Sequence, residues 1–444
     1  MNRGGLTGFL AGLALAALPV AEAAAPARAP VLSADRADCL YASGDRAVFT
    51  VRGEPALGSV KVWVDDGGTG VLVRTTCDFT ATNACTLSAT RDTPGALRLR
   101  VAGKACRMQT YGVLFDWEKI RPAAPCPDDF DAYWKGERER LAATVPLDPK
   151  MERVPERDTA DRLFYRLSFA TFGGKRVHGA MTVPREGKGP FPVRFHCPGA
   201  GPGKIEPLPC ESGTVICEPL TPKNAIGVVM NINDFPVQDT REAQKRRAYA
   251  WSTALFRKYG VRNYMHAGFS AGRDAVVFHD PVLGILRGLD WLAEQPFADA
   301  AHFTYYGSSQ GAALGYYLAA LWGRFERTML NVPAMGDLLA ARIGRAPGGP
   351  DPVGGHPAAV RAACEASAPY YDTANFAPRI KTPTFVLIGL ADDVCPFIAA
   401  VSSYNLLGTD QRRIVFSPGV GHAYAAPRAP EFNAWINNEK GKWQ

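Results

Sequence analysis

The chain has 444 residues, enough for two or three domains, and its 47% hydrophobic and 21% charged residues describe a globular protein with a large core. A formal net charge of +7 is modest at this length, and no run of Lys and Arg concentrates it. Composition therefore argues against nucleic acid or a membrane surface as the main partner.

Residues 1–23 read as a signal peptide. Arg3 supplies the positive start, Leu6 to Leu18 the short apolar core, and Ala21-Glu22-Ala23 the small-residue cleavage site. The apolar stretch is too short and too rich in Gly and Ala for a membrane span. Export to the periplasm or the medium is the expectation, which allows the ten cysteines to pair. Candidate pairs are Cys77 with Cys85 and Cys210 with Cys217, while Cys39 and Cys106 are spaced to bracket an N-terminal domain. Spacing leaves connectivity open, and part of the set can equally be buried free thiols.

From residue 31 to 116 short β-prone runs are separated by turns rich in Gly, Asp and Pro. They include Ala47–Val51, Val60–Val64, Gly70–Val73 and Ala96–Val101. This spacing predicts a small all-β, immunoglobulin-like sandwich. It shows no chemistry, and Trp63 and Phe79 read as core rather than as a sugar platform. A linker with Pro122, Pro125 and Pro127 follows, then an amphipathic helix from Asp128 to Leu141. Beyond Leu163 the pattern changes. Strand-like runs at Phe164–Phe169, His178–Val183, Pro192–His196, Ala225–Met230, His302–Tyr306 and Thr384–Leu390 alternate with helices such as Leu283–Glu294 and Ala312–Leu321. Such alternation predicts an α/β domain over 125–444, a mostly parallel sheet flanked by helices.

Within it, the aromatic strand Phe303-Thr304-Tyr305-Tyr306 runs into Gly307-Ser308-Ser309-Gln310-Gly311 and then the small-residue helix Ala312-Ala313-Leu314-Gly315. A strand that turns sharply into a helix at G-x-S-x-G is the nucleophile elbow of the α/β-hydrolase fold. The pattern alone is common in a chain with 44 glycines, and a second copy stands at Gly268-Phe269-Ser270-Ala271-Gly272. No buried strand precedes that copy and no small-residue helix follows it, so Ser309 is the expected nucleophile.

A serine hydroxyl needs a base to take its proton and a carboxylate to orient that base. In this fold the order along the chain is Ser, acid, His, with the acid just after a strand. Thr384–Leu390 is such a strand and ends in Ala391-Asp392-Asp393; both carboxylates follow it, and spacing does not choose between them. One is expected to orient the histidine, the other to face solvent or cap the next helix. Two histidines follow Ser309: His356 precedes the acid, whereas His422 comes after it in the loop Gly419-Val420-Gly421-His422. Read singly, His422 is a surface-loop histidine and Asp392 a turn residue. Their order and their strands make them a triad with Ser309. The oxyanion hole is expected from the backbone N–H of Gln310 and from that of Ala200, in the loop Cys197-Pro198-Gly199-Ala200-Gly201.

From about Pro125 onward the chain resembles the acetyl xylan esterase/cephalosporin C deacetylase family of carbohydrate esterases. The resemblance rests on Pro127–Trp134, Gly307–Gly311, Tyr370–Ala377 and Gly389–Pro396. It implies Ser309 as nucleophile, Asp392 rather than Asp393 as the acid, and His422 as the base. It also implies a secreted serine ester hydrolase that removes acetyl groups from plant polysaccharide such as acetylated xylan, acting without metal or organic cofactor. No membrane span or nucleic-acid partner is implied, and a homo-oligomer is possible within the family. The chain departs from the family at Pro198–Gly201, where a Tyr is usual, at Phe397 in place of a Pro, and at Ala423 in place of an acid. The missing Tyr keeps esterases for a larger acyl group, such as feruloyl, in view. A serine peptidase of the same fold is a further reading, and so is a polysaccharide-binding protein whose hydrolase domain is inert.

Overall fold

The computed structural model describes residues 29–201, 221–422 and 430–437. Eight strands come first: β1 (Val31–Ala34), β2 (Leu40–Tyr41), β3 (Arg46–Arg52), β4 (Ser59–Asp65), β5 (Val71–Asp78), β6 (Ala84–Thr90), β7 (Gly95–Gly103) and β8 (Gln109–Phe115). They form two sheets, β1-β3-β6 and β2-β8-β7-β4-β5. Alternation explains the packing: Ala47, Phe49 and Val51 of β3 and Val60, Val62 and Val64 of β4 point inward, while Val48, Thr50, Lys61 and Trp63 between them are half-buried or exposed.

After the proline linker, α1 (Phe130–Thr144) starts two residues later than the sequence predicts, behind Asp129. It buries Phe130, Tyr133, Trp134 and Leu141, one helical face. The second unit then builds on β9 (Lys150–Arg153), β10 (Arg162–Ala170), β11 (Arg176–Pro184), β12 (Phe191–Cys197), β13 (Ile226–Asn231), α2 (Arg241–Tyr259), α3 (His279–Ala293), β14 (Ala298–Ser308), α4 (Gln310–Trp322) and β15 (Arg327–Asn331). The short helices α5 (Arg361–Ser367) and α6 (Thr373–Phe376), β16 (Thr384–Gly389), α7 (Phe397–Tyr404), β17 (Arg412–Ser417) and α8 (Pro430–Ile436) complete it.

Its nine strands lie in the order β17-β16-β15-β14-β12-β13-β11-β10-β9. Pairs from β13 to β17 are parallel, whereas β11, β10 and β9 form an antiparallel edge. Strands β13, β15 and β16 are buried along their whole length, as a sheet covered on both faces requires. Successive residues of β14 serve opposite faces. Tyr305 joins the large core with α3 and α4, while Tyr306 packs with Met329, Phe385 and α8 residues Trp435 and Ile436. This is the mostly parallel, helix-covered sheet the sequence predicts.

Among the elements that escape the sequence reading are β8, β15 and α2. Of the candidate cysteine pairs, the Cys77 and Cys85 thiols are brought together without a disulfide. All eight described cysteines are free thiols, and the Cys39 Sγ meets the Tyr111 hydroxyl at 3.2 Å instead of reaching Cys106. Cys210 and Cys217 lie outside the described residues, as does the signal segment. Among the described residues no helix is long and apolar enough to cross a membrane.

Candidate active site

Ser309 sits between the last residue of β14 and the first of α4, with φ 57° and ψ −119°. A left-handed φ at a non-glycine residue costs roughly 1–3 kcal/mol and persists only where the surroundings over-determine it. Here Ser309 N donates to Asn331 O at 2.9 Å, and Ser309 O accepts from Ala313 N and Ala334 N at 3.1 and 3.2 Å. Three such bonds, at about 1 kcal/mol each, offset that strain. The turn also needs bare glycines. A Cβ on Gly307 would overlap the Gly311 carbonyl, and one on Gly311 would overlap the carbonyl oxygen of Cys197 at the end of β12. Gly311 therefore lets the Cys197–Gly201 loop lie against the start of α4.

The carboxylate of Asp392 is 1% exposed. A buried charge is tolerated only when its oxygens are satisfied. Its Oδ1 accepts from the backbone N–H of Val394 and of Cys395, each at 2.9 Å, and its Oδ2 lies 2.8 Å from His422 Nδ1. The His422 loop reaches this position by crossing the end of β16: Ala391 N donates to Val420 O at 2.9 Å, and a Cβ on Gly389 would overlap the Val420 carbonyl. With Nδ1 bound to a carboxylate, Nε2 is left free to take a proton.

Ser309 and His422 are not joined by a hydrogen bond among the described residues. The polar contact of the Ser309 hydroxyl is Cys395 Sγ at 3.9 Å. Burial, and then the adjacent Asp392 charge, pushes the Cys395 thiol well above its ordinary value. It remains neutral and is a poor nucleophile at any working pH.

Asp393 is exposed, as expected of the second carboxylate, and it also accepts from Arg100 Nη1 at 2.8 Å and from the Thr110 hydroxyl, both in the N-terminal unit. Ala200 is half-buried beside the core, in the loop next to Gln310. Tyr264, which sequence reasoning missed, ties that loop to the elbow. Its hydroxyl donates to Gln310 Oε1 at 2.6 Å and accepts from Gly201 N at 2.8 Å. It lies just before the second G-x-S-x-G copy, whose Phe269–Ala271 forms a short 3-10 turn with no strand leading into it. Among the described residues no group of three His, Cys, Asp or Glu side chains is placed to hold a metal ion.

The acetyl xylan esterase (AXE1) family model matches residues 108–209 and 361–438. The chain is 26% identical over 394 residues to acetyl esterase Axe7A of Xylanibacter ruminicola, covering 86% of this chain and 84% of that protein. Among solved structures, an acetyl xylan esterase from Paenibacillus sp. R4 aligns with a TM-score of 0.57 at 18% identity, covering 72% of this chain and 98% of that one. Acetyl xylan esterase 1 from Thermoanaerobacterium sp. JW/SL YS485 aligns with a TM-score of 0.55, also at 18% identity, over 72% and 97%. The chain has the α/β-hydrolase fold. Its sequence is similar to the acetyl xylan esterase family over the residues matched.

Proposed function

We propose that this protein is a serine carboxylic ester hydrolase that removes acetyl groups from an acetylated polysaccharide of the xylan type or its oligosaccharides. The observation that carries the reading is the buried Asp392 carboxylate 2.8 Å from His422, both on loops at the end of the sheet where the Ser309 elbow emerges. The family match and the acetyl esterase named above supply the acyl group.

In this reading His422, oriented by Asp392, takes the proton of Ser309 as its Oγ attacks the acetyl carbonyl. The tetrahedral oxyanion is held by the backbone N–H of Gln310, at the positive end of α4, and by that of Ala200. His422 then protonates the departing sugar oxygen. Water, deprotonated by the same imidazole, releases acetate and restores Ser309. Tyr264 holds the two donor segments together.

The leader at 1–23 supports export, and the paired sheets β1-β3-β6 and β2-β8-β7-β4-β5 support an immunoglobulin-like domain over 31–116 ahead of a hydrolase domain over 125–444. The test is acetate release from acetylated xylan set beside cleavage of methyl ferulate. Acetate release with little ferulate cleavage is the expected result; the reverse would reassign the acyl group.

A further inference from the structure

An aspartate that orients a catalytic histidine must be held to within about half an ångström. Asp392 is held partly by its own turn, through the N–H groups of Val394 and Cys395. Leu390 N to Ser417 O at 3.0 Å and Ala391 N to Val420 O at 2.9 Å tie that turn to its own unit, and further support comes from the N-terminal unit. The next residue, Asp393, is bound by Arg100 Nη1 at 2.8 Å and by Thr110, with Arg98 Nη1 at 3.8 Å. Both arginines are fixed in advance, because buried Asp65 takes Arg98 Nε at 2.7 Å and Arg100 Nε at 3.1 Å.

Backbone contacts run alongside. At Gly112 of β8 a Cβ would overlap the Leu390 carbonyl, so this strand lies directly on the turn that carries Asp392. One residue earlier, the Tyr111 ring lies 3.3 Å from where a Cβ on Gly419 would stand, in the loop that carries His422. Neighbouring strands β7 and β8 thus press on both halves of the Asp392–His422 pair. The family match begins at residue 108 and so takes in β8.

We propose that the N-terminal β-unit is a positioning module for catalysis: Arg100 and Thr110, with Arg100 braced by Asp65, hold Asp393 and through it set Asp392 against His422. This rests on the assignment of Ser309, Asp392 and His422 as the catalytic set. The three module residues act through Asp393 and are positioning residues. A linker-tethered domain that only binds polysaccharide would not place two arginines on the turn that carries the catalytic acid.

The test uses the full chain and a chromogenic acetate ester too small to reach a polysaccharide-binding surface. Arg100→Met and Thr110→Val, each made alone and in an Asp393→Ala background, are read for kcat, KM and melting temperature. Each single change is expected to lower kcat about 10- to 100-fold, the cost of a small misplacement of reacting groups. KM should stay within about twofold, and neither change should lower kcat further once Asp393 is gone. Arg100→Lys, which keeps the charge, should recover part of the loss. Wild-type kcat in folded Arg100→Met and Thr110→Val, or equal losses in the Asp393→Ala background, would overturn the proposal. Should Arg100→Met not fold, Thr110→Val carries the test, since it removes one hydroxyl without changing charge. Activity retained by Ser309→Ala or Asp392→Asn would instead defeat the site assignment.

Discussion

Asp392 and Asp393 are adjacent in the chain and face opposite partners: Asp392 meets His422 at 2.8 Å, while Asp393 meets Arg100, 293 residues earlier, also at 2.8 Å. Two consecutive carboxylates therefore join His422, the proposed base, to the N-terminal sheet. Their amides should separate cleanly. Asp392→Asn favours the wrong imidazole tautomer and should lower kcat by roughly 10⁴-fold. Asp393→Asn should cost no more than about 100-fold, because it loosens the turn without removing the acid. Steady-state kinetics on a short acetate ester measures both, and equal losses would contradict the division of roles.

Cys395 lies against Ser309, yet its thiol is kept neutral by burial. Alkylation with iodoacetamide at about pH 7.5 is expected to leave activity intact, while a sulfonyl fluoride should abolish it by modifying Ser309. Mass spectrometry of the two products locates each label. Inactivation that follows alkylation of Cys395 would show that the sulfur is reactive after all.

The elbow should not tolerate a methyl group. Gly311→Ala forces a side chain into the Cys197 carbonyl, where neither backbone can yield without moving the proposed oxyanion loop. A destabilisation of about 3 kcal/mol or more is expected, at the high end for a single substitution, together with loss of activity. Denaturant midpoints of the variant and parent provide the comparison.

Acid should weaken the fold in a defined window. Burial holds His178, His196 and His266 down at about 4, against about 6.5 for a free imidazole. Between those values the unfolded chain takes up protons that the folded chain excludes, so this stability is complete above about pH 6.5 and lost as pH falls toward about 4. Asp372, raised by burial and then by the Asp337 charge to about 7, and Asp337, itself raised by burial, act in the opposite sense over their own ranges, but they are two groups against three. Melting temperature is therefore expected to fall from about pH 7 to about pH 5. His196→Asn, which cannot titrate, should start lower and fall less steeply.

Strands β3 and β4 were legible because burial alternates along them, and β14, β16 and helix α4 because continuous apolar or small-residue runs stand between turns. The elbow stands out because strand, glycines and small-residue helix agree. Strand β8 was hidden, for a reason tied to its role. Gly112 breaks its pattern to let the Leu390 backbone pass, and both its faces are covered, so no alternation survives. Strand β15 is five residues, all buried, with Arg327 and Asn331 at its ends. The Asp393–Arg100 and Tyr264–Gln310 contacts join segments 293 and 46 residues apart, a relation that only the folded chain reveals.

The most direct measurement of the central claim is hydrolysis of a chromogenic acetate ester by the parent, Ser309→Ala and Ser270→Ala. The two serines share a G-x-S-x-G pattern, and one alone stands on a strand-to-helix turn. Turnover should fall to near background in Ser309→Ala and stay at the parental rate in Ser270→Ala. Activity that survives in Ser309→Ala and vanishes in Ser270→Ala would contradict the account.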